Sequence, residues 1–245
     1  YAGYRHGEVP LPTVSGPVFD VVAGFGADPR GENDASAALQ AAMDADGKAG
    51  GGVVFLPAGL YRCDRPVRIT ASGVVLRGTG AESTRVYFTT VPERGRNDHL
   101  EIRGATRLGD HLPLAADAPN QGNMVEIEDS SSLREGDHVA MGWVITPEFI
   151  AEHQMTGTWK SFNGTWRPFF QRQVVRLDRS RQPHRVFLDV PLRYAVKRRD
   201  AASLRAASGM VRECGIEAIG IANAVAPAAA WSRPGVHAVA LRDAV

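Results

Sequence analysis

The residues best suited to chemistry lie between Trp143 and Arg172. That stretch holds three of the four tryptophans and four of the nine phenylalanines, together with His153, Lys160, Arg167 and Arg172. Indole rings pack against the C–H faces of sugar rings, and Lys and Arg pair with carboxylates or sulfates. The run TWKSFNGTWRPFFQRQ therefore reads as a candidate ligand wall, with Trp159, Lys160, Trp166 and Arg172 as binding residues. A competing reading gives Trp143, Phe149, Trp159, Phe162, Trp166 and Phe169 to a small local core and leaves the basic side chains solvated. His153, amid AEHQ, and the Arg193–Tyr194 pair within PLRYAVKRRD are the candidates for acid–base work. Their plain alternatives are a surface histidine and a solvated charge run. Asn163-Gly164-Thr165 spells a glycosylation sequon, and Asn-Gly spells a tight turn equally well.

Composition narrows the partners. A net charge of +1 argues against nucleic acid, because phosphate binding needs a strong basic excess. The longest apolar run, residues 215–231, is broken by Glu217, Asn223 and Pro227 and is too short and polar for a bilayer, so no membrane partner is expected. No cofactor is evident: there is no dense Asp cluster, HExxH or CxxC, and DADG at 44–47 lacks the Glu of a calcium loop. Cys63 and Cys214 both sit in apolar contexts, which leaves buried thiols and a disulfide open. High Arg and Ala against low Lys gives the chain a bacterial composition.

The elements that must position these residues are short. After Asn33 or Asp34, either of which can cap a helix, Ala38, Leu39, Ala42 and Met43 form one apolar stripe. Gly50–Gly52 stops that helix and turns the chain into Val53-Val54-Phe55-Leu56. Strands of three or four residues follow at Tyr61–Cys63, Val67–Ile69 and Val74–Arg77, cut by Gly, Pro and Asp corners. Alternation puts Tyr61, Cys63, Val67 and Ile69 on one face, with Arg62 and Arg68 on the other.

The pattern FGADPRGENDASAALQAA, then GGGVVFLPAGLYRC, then GVVLRGTG resembles the N-terminal signature of the pectate-lyase-like right-handed parallel β-helix superfamily, in the branch that opens with a capping helix. The resemblance is close over the first third of the chain and loose beyond it. It implies an all-β solenoid that acts on carbohydrate, since members include polysaccharide lyases, glycoside hydrolases, epimerases and phage tailspikes. Lyases of this fold remove a proton beside a uronate carboxylate and neutralise the acid with Arg or a cation, so calcium is admitted by resemblance alone.

Residues 1–99 are expected to hold the cap helix and first coils, 100–208 an inserted β-rich subdomain, and 209–245 resumed coils. Residues 105–123 read as a polar loop projecting from a corner, and Val174–Leu177 with Arg185–Val190 as a hairpin. GVHAVALRDAV ends in mid-strand, so the chain is expected to be the N-terminal part of a longer solenoid; a folded-back insertion or a covering partner chain is the alternative. The expected function is that of an extracellular polysaccharide lyase on a uronate-containing polymer, its leader peptide removed. The alternatives are a glycoside hydrolase of the same fold or a non-catalytic, tailspike-like carbohydrate binder. The expected partners are the polysaccharide and either further copies in a homotrimer or the remainder of the solenoid.

Overall fold

The computed structural model describes residues 9–10, 12–90, 98–161, 163–230 and 237–245. Phe162, Trp231 and Val236 lie outside them. The chain divides into two compact units, residues 1–105 with 210–245, and residues 106–209.

The first unit opens with β1 (Val18–Asp20), β2 (Arg30–Asp34) and helix α1 (Ser36–Lys48). Leu39, Ala42 and Met43 form the buried face of α1, and its alanines keep the helix thin enough to lie close on the strands. The N-cap is Ala35, not Asn33 or Asp34. Asp34 instead accepts from Ser36 N at 2.9 Å and Asp64 N at 3.0 Å, tying the start of the helix to the first coil. The helix ends because Gly50 and Gly51 adopt φ of 94° and 100°. A Cβ on Gly51 would meet the Gly73 backbone at 2.7 Å. Two coils follow: β3 (Gly52–Phe55), β4 (Gly59–Cys63) and β5 (Val67–Ile69), then β6 (Val74–Arg77), β7 (Thr84–Phe88) and β8 (Leu100–Arg103).

The second unit contains β9 (Arg107–Leu108), β10 (Leu112–Pro113), β11 (Met124–Ile127), β12 (His138–Val144), α2 (Pro147–Glu152), β13 (Trp166–Asp178), β14 (His184–Leu188) and β15 (Ser203–Ser208). They form an antiparallel sheet of order β10-β15-β12-β13-β14-β11, with β9 also on β15. The ends of this path meet at a Leu114–Ile127 bridge, where Ala115 N donates to Glu126 O at 2.7 Å. The sheet thus curls back on itself and covers edges that would otherwise be open. Its core holds Leu133, Val139, Met141, Trp143, Val174, Val186 and Leu204. The hairpin expected near 174–190 is present as β13–β14. The segment expected as a projecting loop supplies β9 and β10; two residues per strand carry too little alternation to be recognised. Asn163 and Gly164 take φ of 53° and 67°, the two-residue turn that Asn-Gly favours.

The chain then returns to the first unit as β16 (Gly215–Glu217), β17 (Gly220–Asn223), helix α3 (Pro227–Ala230) and β18 (Val239–Arg242). Three parallel sheets result, β1-β3-β6-β16, β2-β4-β7-β17 and β5-β8-β18. The registers align Val54 with Leu76 and Ile216, Tyr61 with Val86 and Ile221, and Val67 with Leu100 and Val239. Apolar side chains therefore stack coil on coil inside, while Arg62 and Arg68 point outward, as alternation requires. Cys63 and Cys214 are free thiols. Among the described residues no helix is long and apolar enough to cross a membrane.

Within α1, Asp46 is fully buried and neither of its carboxylate oxygens has a hydrogen-bond partner. Burial pushes its pKa up from 3.8 to about 6. The folded state then holds a proton that the unfolded chain has released, so stability is highest below pH 4 for this group and falls as pH rises to 6. The loss is up to about 3 kcal/mol. Asp46→Asn is expected to raise stability at pH 7 by about 1–3 kcal/mol and to flatten that slope, read from urea midpoints between pH 4 and 7.

Candidate functional site

In the second unit, Thr146 caps α2 by accepting from Phe149 N at 3.1 Å, and its hydroxyl donates to buried Asp200. The helix thereby seats Phe149 against Trp143, centroids 5.8 Å apart. Phe169 stacks on the same indole at 4.3 Å, and Phe170 and Tyr194 approach it at 5.7 and 6.3 Å. Trp143, Phe149 and Phe169 therefore build a local core, and partly buried Trp159 joins it through Phe149 at 5.7 Å.

At the rim of this core His153 and Tyr194 come together, their rings 5.5 Å apart. His153 ends α2, stacks on Phe149 at 4.1 Å and donates from Nδ1 to the Phe149 carbonyl at 2.7 Å. That bond fixes the tautomer of the neutral ring and leaves the lone pair on Nε2. Tyr194 is 40% exposed. Lys160 and Arg193 are exposed, and Glu152 pairs with Lys197 at 2.8 Å and with Arg199. Arg172 is a clamp: its guanidinium donates to the carbonyls of Val190, Gln171 and Pro191 at 2.7–3.0 Å and lies over Phe170.

Trp166 is placed elsewhere in the unit. With His111, Pro113, Leu114, Arg198 and residues 201–203 it lines a cleft of about 360 Å³. His111 meets the indole edge-on at 5.1 Å and shares a 2.8 Å hydrogen bond between its Nδ1 and Ser203 Oγ. Burial, aided by the Arg205 guanidinium, holds the His111 pKa below the usual histidine value.

The first unit carries a charged ladder on its third sheet. Glu101, on β8, is buried and is reached by Arg68 of β5 at 2.9 Å, by Arg242 of β18 at 2.9 Å and by Arg103 at 3.5 Å. Arg242 also holds buried Asp98 at 2.7 Å, and that carboxylate raises the arginine's pKa further. Two carboxylates lie beneath and three half-exposed guanidiniums, one from each coil, face outward. Among the described residues no three His, Cys, Asp or Glu side chains converge on a common point.

The family described as rhamnogalacturonase A/epimerase, pectate lyase-like, matches residues 19–98. The chain is similar to the tailspike gp61 of Pseudomonas phage phi297, at 14% identity and TM-score 0.56, over 93% of this chain and 38% of that one. It is also similar to the Gp54 tailspike of Acinetobacter baumannii bacteriophage AP22, solved with a capsular saccharide, at 10% identity and TM-score 0.53, over 93% and 36%. Residues 19–98 thus match a pectate-lyase-like family, and the likeness to the two tailspikes is one of fold. It spans little more than a third of the length of these two tailspikes. A mannuronan C-5 epimerase A-module of Azotobacter vinelandii aligns at 29% identity over 34% of this chain and 27% of that one, with TM-score 0.28. No curated protein matches the sequence.

On a parallel solenoid, outward positions of successive coils fall into line. This is why Arg68, Glu101, Arg103 and Arg242 escaped a strand-by-strand reading; laying VRI, LEIR and VALR over one another as coils would have exposed them. His111 and Ser203 are 92 residues apart and had no sequence signal. Because Arg172 is fully engaged with backbone carbonyls, Arg172→Ala is expected to destabilise the chain by about 2–3 kcal/mol, read as a lowered urea midpoint. An unchanged midpoint would mean the clamp carries no load.

Proposed function

We propose that the chain is part of an extracellular protein that binds and degrades an acidic, uronate-containing polysaccharide by β-elimination. The observation that carries the acidic ligand is the arginine ladder on the third sheet of the solenoid. A guanidinium pairs with a carboxylate through two parallel hydrogen bonds, and the buried acids beneath hold each arginine in place before the polymer arrives. A tailspike of the same fold is solved with a capsular saccharide, which supports a polymeric sugar as the ligand.

The reaction class is assigned separately, from the second unit. Elimination needs a base for the proton next to the uronate carboxylate and an acid for the leaving oxygen. His153 carries a lone pair on Nε2 and its ring lies 5.5 Å from that of Tyr194, so these two residues are assigned base and acid. Hydrolysis would instead call for a pair of carboxylates flanking the scissile bond, and Glu152, next to His153 in the chain, is paired with Lys197 and Arg199.

Arg103→Gln disturbs the longest contact of the ladder and leaves Glu101 paired with Arg68 and Arg242. It is expected to weaken binding of a polyuronate about fivefold, close to 1 kcal/mol, with a shallower salt dependence, and to leave a neutral polysaccharide unaffected. Equal effects on both polymers would remove the case for an acidic ligand. His153→Ala and Tyr194→Phe are each expected to cut the release of unsaturated uronate ends by a factor of about 10²–10⁴, followed by ultraviolet absorbance. Saturated reducing ends released at an unchanged rate would refute elimination and favour a hydrolase.

A further inference from the structure

His99 sits between β7 and β8, and its side chain is fully buried. The ring stacks on Phe88 with centroids 4.7 Å apart, and neither Nδ1 nor Nε2 has a hydrogen-bond partner. Only a neutral imidazole tolerates such a place, because an imidazolium carries two N–H donors and a full charge. The backbone of the same residue ties the third sheet together. Its carbonyl accepts from Val67 N at 2.9 Å and its N–H donates to His237 O at 3.1 Å, which joins the coil of β8 to the coils on both sides. Asp98, the residue before it, is buried as well; one carboxylate oxygen holds Arg242 at 2.7 Å and the other has no partner.

The charges around the ring do not offset its burial. Asp98 favours a proton on His99, but burial prevails and holds its pKa below the usual histidine value. Among the described residues of the neighbouring strands, Arg68 and Arg103 are paired with Glu101, Arg242 with Glu101 and Asp98, and Arg85 with Glu82, while His237 is exposed. We propose that His99 is an acid-operated latch on the arginine ladder: a proton on its ring drives it out of the core, its backbone bonds to Val67 and His237 open with it, and Asp98 no longer positions Arg242. The inference rests on the acidic-polysaccharide reading above and adds the regulation of that site.

The direction follows from which form takes the proton. In the opened form His99 is solvated and titrates at about pH 6.5, whereas the closed form stays neutral. Closure is therefore fully present above pH 6.5 and is lost as pH falls, by up to about tenfold in the closed-to-open ratio per pH unit. An acidic polymer is held near neutrality and let go in acid. Exposed histidines such as His237 act the other way, since they gain charge in acid and by themselves tighten a polyanion.

The test is amide hydrogen exchange on the whole chain at pH 7, 6 and 5, expressed as protection relative to an unstructured peptide at each pH. The amides of Val67, His99 and Leu100 are expected to lose about tenfold in protection between pH 6 and 5, while those of Val53 and Leu56, in hydrogen bonds of the first sheet, do not. His99→Phe keeps an aromatic ring on Phe88 and removes the proton, so it is expected to abolish the loss; should Phe overfill the site, His99→Leu serves the same comparison. Asp46 acts with the opposite sign and is common to wild type and variant, so it cancels between them. Unchanged protection at pH 5, an equal loss in all three sheets, or the same loss in His99→Phe would overturn the latch. Saturating polyuronate at pH 5 is expected to restore protection of the three amides, because it binds the closed form. If acid opens them and polyuronate never restores them, the latch stands and the ladder falls. If polyuronate binding depends on Arg103 yet is equally tight at pH 7 and pH 5 in wild type and His99→Phe, the ladder stands and the latch falls.

Discussion

Each coil of the solenoid can pair its backbone and bury its apolar residues only against the next coil. This constraint sets the first unit. Parallel strands spaced about 4.8 Å apart leave no room for a register slip, because a slip of one residue would turn Val54, Leu76 and Ile216 outward and their polar neighbours inward. At the N-terminal side the last coil has no neighbour, and α1 takes that place. Its alanines keep it thin, Asp34 ties its first residue to the coil beneath, and Gly51 lets the chain turn where a Cβ would strike Gly73. Asp46 is the cost of that close fit.

Coil stacking also gathers charge on one outer face. Outward side chains of neighbouring strands stand at fixed spacing, with no loop entropy to overcome. On the third sheet the ladder is charged. Glu101 sits where three strands bring Arg68, Arg103 and Arg242 within reach, and the buried carboxylate orients side chains that would be mobile on an isolated strand. The second unit solves its problem differently. Its sheet closes on itself around Trp143, and closure leaves a rim where helix α2 and the chain near Tyr194 present polar groups on a rigid aromatic base.

Much of the solenoid was legible because its signals are local. Alternation in Tyr61–Cys63 and Val67–Ile69, the glycine stop at 50–52 and the small-residue stripe of α1 each reflect contacts formed within a few residues of sequence. The Arg-Glu ladder was not legible, since it depends on which residues the coils bring within reach of one another across 33 and 141 positions, Arg68 to Glu101 and Glu101 to Arg242. The aromatic run divided in a way that composition does not encode. Trp143 and Phe169 became core, Trp159 packs on its edge, and Trp166 walls a cleft whose other members come from residues 111–114 and 198–203. Arg172 shows the same limit: its spacing fits a ligand wall, but three carbonyls within reach hold it as a clamp.

The central claim is that the third sheet holds an acidic polymer through its arginines. A crystal structure of the chain soaked with an oligouronate tests this most directly. An ion-pairing ladder predicts uronate carboxylates within about 3 Å of Arg103 and Arg242, with Glu101 and Asp98 still buried beneath. Sugar bound only on other faces, with those two guanidiniums in water, would contradict it.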